Sequence, residues 1–149
     1  MLIEMTIKGL MVDPITNMPI VILKDKGGDR VLPIWVGIFE ANAIALQMEN
    51  IATPRPMTHD LLRNVITDLE GSVDRVVVSD LKDNTFYAII QLTVRGERVV
   101  IDARPSDAIA IGLRYGARIF VNEEVFEQQQ EYEEPPEEAK PSEPESLRL

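Results

Sequence analysis

The chain has 149 residues, of which 25 are acidic, 15 are basic and none is cysteine. This length favours one domain with a sizeable hydrophobic core, and the lack of cysteine excludes disulfides, thiolate zinc sites and a cysteine nucleophile. No apolar run is long enough to cross a membrane and no signal-peptide pattern opens the chain, so we expect a cytoplasmic protein without a membrane partner.

Three strands are predicted at the N-terminal end. Apolar and polar residues alternate over residues 3–7, which is typical of a half-buried strand. Residues 20–24 and 30–36 form the next two strands, joined by a hairpin loop with two glycines. Pro33 lies inside the third strand, so we expect that strand to be an edge or to carry a bulge.

Two helices are predicted next. The first is alanine-rich and covers residues 38–49, and the segment Thr53-Pro54-Arg55-Pro56 then breaks the chain. The second covers residues 58–69, and we expect Gly71 to end it. Its apolar stripe consists of Leu61, Leu62, Val65, Ile66 and Leu69.

The second half of the chain predicts an antiparallel meander over residues 73–80, 85–94 and 98–102. A helix over residues 107–114 follows, and because it is apolar almost all round we expect it in the core or in a subunit interface. A strand over 118–121 and a helix over 123–130 complete the order. The whole predicts an α+β fold with a mixed, largely antiparallel sheet and about four helices. No glycine-rich loop opens a helix, so no nucleotide or redox cofactor is expected.

The C-terminal segment has a different composition. Residues 127–149 contain eight acidic residues, two basic residues and four prolines. Such a segment cannot bury enough apolar surface to fold, so we predict a domain over residues 1–127 and a disordered acidic tail over 128–149. The remaining domain is mildly acidic, which argues weakly against a nucleic-acid binder.

Polar residues gather at a corner in the segment IDARPSDAIA, residues 101–110. Asp102 ends a strand, Arg104 precedes a proline, and Ser106 and Asp107 open a helix. Ser106 is a good N-cap and Asp107 suits the positive end of the helix dipole, so both have a structural explanation without a ligand. Capping does not explain Arg104, which makes this corner a candidate site.

A similar corner lies upstream in the segment RPMTHDLL, residues 55–62. Arg55 precedes a proline, Thr58 is a second candidate N-cap, and Asp60 again suits the first helical turn. His59 is the only histidine of the chain, and a histidine in a first turn is more often exposed or capping than catalytic. Two arginines beside helix starts suggest the two edges of one polar site.

Three motifs in order resemble the bifunctional nuclease domain family. They are residues 55–62, the segment DNTFYA at 83–88 and residues 101–110, and the residues around Glu40 also fit. The resemblance covers about residues 2–127. It implies a compact, dimeric domain that hydrolyses both DNA and RNA.

Activity on DNA excludes the ribose 2′-hydroxyl as the obligatory nucleophile, so water must attack. One histidine in each chain excludes a two-histidine mechanism within one chain, and metal-assisted hydrolysis with Mg²⁺ or Mn²⁺ remains. The candidate catalytic residues are Asp107, Asp102 and His59. The candidate metal ligands are Asp102, Asp107, Glu40 and Asp60. The candidate phosphate ligands are Arg104 and Arg55, with backbone N–H groups of the helix starts at Ser106 and Thr58.

A different class of function stays open at this point. The same arginine and aspartate residues suit a structural ion-pair network, and the apolar third helix suits a non-catalytic homo-oligomeric module that binds an anionic ligand or a protein. A homodimer is expected from the resemblance and from that helix. Trp35, on an edge-like strand, suits base stacking or packing against the hairpin or a partner subunit.

Overall fold

The structure is a computed structural model that describes residues 1–133. It contains a seven-stranded sheet and four helices, which confirms the predicted α+β class. The strands are β1 (Leu2–Val12), β2 (Pro19–Asp25), β3 (Val31–Trp35), β4 (Gly71–Lys82), β5 (Thr85–Val94), β6 (Glu97–Ala103) and β7 (Arg118–Asn122). The helices are α1 (Ile38–Met48), α2 (Thr58–Asp68), α3 (Pro105–Arg114) and α4 (Glu123–Glu133).

The strand order of the sheet is β3-β2-β1-β7-β4-β5-β6. Strands β4 and β7 are parallel, and all the other neighbours are antiparallel. Helix α3 forms the long connection from β6 back to β7, so it crosses the sheet and packs on β5, β4 and β7. Strand β3 is an edge, which confirms the prediction from Pro33, a residue that has no N–H to donate to a second neighbour.

Helix α3 lies in the core, between the sheet and helices α1 and α2. A Cβ atom at Gly112 would lie 3.0 Å from Val76 on β4, so glycine permits the close approach of this helix to the sheet. Gly116 ends the helix region in a left-handed conformation, with φ +63°. Burial on both sides of α3 explains its apolar composition. The buried residues of α3 are Pro105, Ser106, Ala108, Ile109, Ala110, Ile111 and Gly112.

The starts of two helices differ from the predictions. Helix α2 has Met57 as its N-cap and α3 has Arg104, so the predicted N-caps Thr58 and Ser106 are wrong. Ser106 is the second residue of α3 because Pro105, with its fixed φ and no N–H, takes the first helical position. In α2 the Asp60 carboxylate accepts a hydrogen bond from the Met57 N–H at 3.1 Å. Met57 is therefore the N-cap, and Thr58 is the first helical residue.

The ends of two helices also differ from the predictions. Gly71 begins β4, and Glu70, in a left-handed conformation with φ 64°, makes the turn after α2. Helix α4 extends to Glu133, three residues beyond its predicted end at residue 130 and six residues into the predicted tail. The rest of the predicted tail lies outside the described residues. None of the helices within residues 1–133 is long and apolar enough to span a membrane, and the cytoplasmic location stays a prediction.

The apolar stripe of α2 is an unexpected surface. Leu61, Leu62, Val65 and Leu69 are all exposed, whereas His59 is the buried residue of this helix. The helix thus turns a polar edge toward α3 and leaves most of its apolar side chains uncovered. Such a surface on a single chain is typical of a face that another molecule covers.

Candidate active site

Three helices each carry a carboxylate as their third residue. These are Glu40 in α1, Asp60 in α2 and Asp107 in α3. A negative charge in the first turn is favoured by the partial positive charge of the helix N-terminus. Glu40 of α1 contacts Arg104, and His59 of α2 contacts Asp107, so the site is built where the first turns of three helices come together.

Four side chains form a continuous chain of polar contacts, which we call the Arg104 cluster. Arg104 Nη2 donates to Glu40 Oε1 at 2.8 Å, and Arg104 Nε donates to Asp107 Oδ2 at 2.8 Å. The second oxygen of Asp107, Oδ1, lies 2.9 Å from His59 Nε2. The cluster therefore joins the two corners found in the sequence, through the contact between His59 and Asp107.

Gly37 makes room for the Glu40 carboxylate. It is the N-cap of α1, and a Cβ atom built on it would collide with Glu40 Oε2. The three nearest atoms all belong to this carboxylate, so a side chain here would push Glu40 from its position beside Arg104. Gly37 is a positioning residue that the sequence did not reveal as part of the site.

Arg104 can bind a ligand in addition to its two carboxylate partners. The hydrogen bonds that Arg104 donates to Asp107 and Glu40 raise the pKa of Arg104, so its guanidinium remains charged at any working pH. The side chain is 67% exposed, and its Nη1 group takes part in none of the cluster contacts. The cluster sets the two carboxylates of Glu40 and Asp107 against one guanidinium.

Asp60 and Arg114 form a second ion pair, which the sequence analysis missed. Arg114 Nε donates to Asp60 Oδ1 at 2.7 Å, and its other nitrogens donate to the backbone oxygens of Ala110 and Ala43. The Arg114 side chain is only 2% exposed. Arg114 thus connects α1, α2 and α3 through hydrogen bonds. Asp60 is its carboxylate partner, so this aspartate has a structural role beside the Arg104 cluster.

Burial of the Asp60 carboxyl raises its pKa, but hydrogen bonds from Arg114 and from the Met57 N–H outweigh that effect. The pKa of Asp60 therefore lies below its ordinary value of 3.8. Because the unfolded chain takes up this proton first as the pH falls, Asp60 stabilises the fold fully above that ordinary value and progressively less below it.

We therefore expect the stability advantage of the wild type over Asp60→Asn to be constant near neutral pH and to shrink from about pH 4 downward. Urea unfolding of both proteins between neutral and acidic pH measures this difference. An advantage that grows on acidification would contradict the assigned direction of the pKa shift.

The other candidate residues lie around the cluster without joining it. Asp102, near the end of β6, and Arg55, before α2, are both exposed, and neither makes a side-chain hydrogen bond or ion pair within residues 1–133. Thr58 and Ser106 are the first residue of α2 and the second residue of α3, so their backbone N–H groups belong to the unpaired first turns. The structure places all four near helix starts but brings only Glu40, His59, Arg104 and Asp107 into mutual contact.

Glu40 and Asp107 are the carboxylates of the Arg104 cluster, and each accepts a hydrogen bond from Arg104. No group of three or more histidine, aspartate or glutamate side chains converges in the part of the chain that the structure describes. Glu40 and Asp107, which flank Arg104, nevertheless supply the two carboxylates with which Mg²⁺ is commonly bound, the remaining ligands being water and phosphate oxygens. These two carboxylates are the groups that would hold such an ion.

The chain matches the model of the bifunctional nuclease domain over residues 21–134, and it belongs to that family. The match begins within β2 and includes the whole Arg104 cluster. This agrees with the resemblance seen in the three sequence motifs.

Several relatives share most of this domain. An uncharacterized protein of Mycobacterium tuberculosis is 42% identical over 125 residues, which cover 84% of this chain and 74% of that protein. Bifunctional nuclease 1 of Oryza sativa subsp. indica is 28% identical over 109 residues, and bifunctional nuclease of Oryza minuta has the same identity and length of match. The matched part is 71% of this chain but only 33% of each rice protein, so those proteins have long regions without a counterpart here.

Proposed function

We propose that this chain hydrolyses phosphodiester bonds of both DNA and RNA, and that the Arg104 cluster is the reaction site. The observation that carries the proposal is the meeting of three helix N-termini at one exposed arginine and two carboxylates, in a member of the bifunctional nuclease domain family. Helix N-termini and a guanidinium favour a phosphate group, whereas carboxylates favour a cation.

The charge of the cluster supports metal-assisted chemistry. A phosphodiester carries one negative charge, and the two carboxylates of the cluster, Glu40 and Asp107, outnumber its one guanidinium. A bound cation would therefore favour the approach of the substrate. A Mg²⁺ or Mn²⁺ ion held by Glu40 and Asp107 would neutralise this charge, polarise the phosphate and lower the pKa of a bound water.

Each residue of the cluster then has a distinct task. Arg104 directs its Nη1 group at a phosphate oxygen and holds Glu40 and Asp107 through its other nitrogens. His59 is a positioning residue, because its side chain is nearly buried and its Nε2 contacts Asp107. Asp102 and Asp60, expected as further metal ligands, are not needed for this scheme.

Metal dependence and Glu40 test this proposal together. We expect purified protein to cleave labelled single-stranded DNA and RNA with Mg²⁺ or Mn²⁺ and to lose this activity in EDTA. Glu40→Gln removes one carboxylate charge and is expected to reduce the rate about 10- to 100-fold at low metal concentration. Extra Mn²⁺ should partly restore it.

The matched control is Glu70→Gln. Glu70 also pairs with an arginine, Arg95, but this pair is exposed and remote from the cluster. Cleavage that persists in EDTA, or that falls equally in both variants, would refute a metal site at Glu40.

We further propose that the active form is a homodimer paired through β6. This strand is an edge of the sheet, and Val99, Val100 and Ile101 along it are exposed. Apolar edge strands pair readily with another strand. In an antiparallel pair of two β6 strands centred on Val100, Arg98 of each copy lies opposite Asp102 of the other, so the charges are complementary.

Light scattering during size-exclusion chromatography tests the dimer. We expect twice the chain mass for the wild type and the single-chain mass for Val100→Lys, because the new charges face each other at the centre of the pairing. Val12→Lys is the control, since Val12 on β1 is 59% exposed, close to the 60% of Val100. Arg98→Glu should weaken the dimer and Arg98→Glu with Asp102→Arg should restore it. A wild type that runs as a single chain would contradict the proposal.

A further inference from the structure

A cavity of about 590 Å³ adjoins the Arg104 cluster. It lies between the edge strand β3, the turn from β4 to β5 and the start of α3. Its volume is within the range of small-ligand sites, and its wall combines aromatic, amide and basic groups as such sites do. The lining side chains with this chemistry are Trp35, Phe86, Asn84, Gln129 and Arg104.

Trp35 is anchored at the wall of this cavity. Its indole Nε1 donates to Asp13 Oδ2 at 3.0 Å, and this hydrogen bond is the main cause that lowers the pKa of Asp13. The side chain is nonetheless 51% exposed. An indole whose polar edge is already satisfied and whose ring remains half exposed is suited to stacking against a flat apolar group.

We propose that this cavity is the subsite for one nucleobase of the bound strand, stacked on Trp35 while Arg104 binds the neighbouring phosphate. The inference rests on the proposed function and names the part of the substrate that the cluster does not touch. It follows from the position of Arg104, which lines the cavity and also belongs to the cluster.

The remaining lining groups suit a base. The amides of Asn84 and Gln129 both donate and accept hydrogen bonds, as base edges do. Stacking on an aromatic ring tolerates every base, because each has a π-face. A subsite of this kind admits either deoxyribose or ribose strands, as a nuclease for both DNA and RNA requires.

Trp35 is the only tryptophan of the chain, so its fluorescence reports this site alone. We would titrate the wild type with AMP, dAMP and ribose 5-phosphate in the presence of Mg²⁺. These probes contain no internucleotide bond, so binding is measured apart from cleavage. We expect saturable quenching by AMP and by dAMP, and no saturable quenching by ribose 5-phosphate, which lacks the base.

Two variants and one competitor complete the experiment. Trp35→Leu should weaken AMP binding about tenfold by calorimetry, the effect of one lost base stack. Tyr87→Leu, which removes an exposed aromatic side chain of β5 that does not line the cavity, should bind AMP as the wild type does. A short single-stranded phosphorothioate oligonucleotide, which resists cleavage, should displace AMP in Mg²⁺, since both occupy the same subsite.

Three results would overturn the assignment. They are the absence of quenching by AMP, equal affinities for AMP and ribose 5-phosphate, and AMP that no oligonucleotide displaces, which would make the cavity a site for free nucleotides. Base binding by a protein that cleaves no nucleic acid would refute the nuclease proposal and leave recognition of the base in place. Cleavage with unchanged kinetics in Trp35→Leu would refute the subsite and leave the nuclease.

Discussion

Asp107→Asn is expected to reduce the rate of nucleic-acid cleavage about 100-fold, the scale on which loss of one preorganised electrostatic contact lowers the rate of an enzyme. The two oxygens of Asp107 have different partners, since Oδ2 accepts from Arg104 and Oδ1 contacts His59. Asparagine has one side-chain oxygen and no charge. It therefore loses one of these contacts and the attraction for a cation as well.

Thermal unfolding, measured beside steady-state kinetics, separates this effect from a loss of folding. The Asp107 side chain is partly exposed, so the variant should remain folded with a melting temperature close to that of the wild type. Asp68→Asn is the control, because Asp68 is an exposed residue at the last position of α2. A folded Asp107→Asn protein with wild-type kcat would remove Asp107 from the site.

The largest effect on stability is expected from Asp60→Ala. This change leaves the guanidinium of Arg114, only 2% exposed, without its carboxylate. Breaking a buried pair by removing one partner costs about 3–5 kcal/mol, and the partial exposure of Asp60 places the expected loss near the lower limit. For a chain of this size a loss of about 3 kcal/mol lowers the melting temperature by about 10 °C.

Chemical and thermal unfolding measure this loss. Glu70→Ala breaks an exposed ion pair with Arg95 and should cost less than about 1 kcal/mol. The double variant Asp60→Ala with Arg114→Met should recover part of the lost stability, because it removes the buried charge together with its partner. Equal losses for Asp60→Ala and Glu70→Ala would show that the pair of Asp60 and Arg114 stabilises the fold no more than an exposed ion pair does.

Local patterns predicted most elements of the fold. The apolar composition of residues 107–114 indicated a buried helix, and α3 is the central helix of the structure. Pro33 indicated an edge strand, which β3 is. The apolar composition of a buried helix and the missing N–H of a proline are both visible in a short stretch of sequence. Local patterns can therefore predict these two features.

Local patterns do not predict contacts between residues that are far apart in the chain. Glu40 lies 64 residues from Arg104, and the two meet only because α1 and α3 pack side by side. The family resemblance brought Glu40 into the candidate set, but nothing local predicted its partner. The contact between His59 and Asp107 also joins distant segments of the chain, so no local pattern predicts it. The two corners are predicted to share a site only because each has an arginine beside a helix start.

A signal for Arg114 was present in the sequence. It is the charged residue at the end of an otherwise apolar helix, and a charge on a buried helix needs a buried partner. Arg114 lies in the last turn of α3, whereas the predicted site residues at this corner lie near the start of that helix, so Arg114 is absent from the predicted set. In contrast, the exposure of the apolar stripe of α2 has no signal in the sequence, because an exposed apolar stripe has the same period as one that faces the core.

The most direct test of the nuclease proposal is the elution profile of cleavage activity. Wild type and Asp107→Asn, purified in parallel, would be run on a size-exclusion column, and each fraction assayed with Mg²⁺ on labelled DNA and RNA. We expect both activities to follow the wild-type protein peak in constant proportion and to be lost from the Asp107→Asn peak. Activity displaced from the protein peak, or equal in the two proteins, would contradict a nuclease site at the Arg104 cluster.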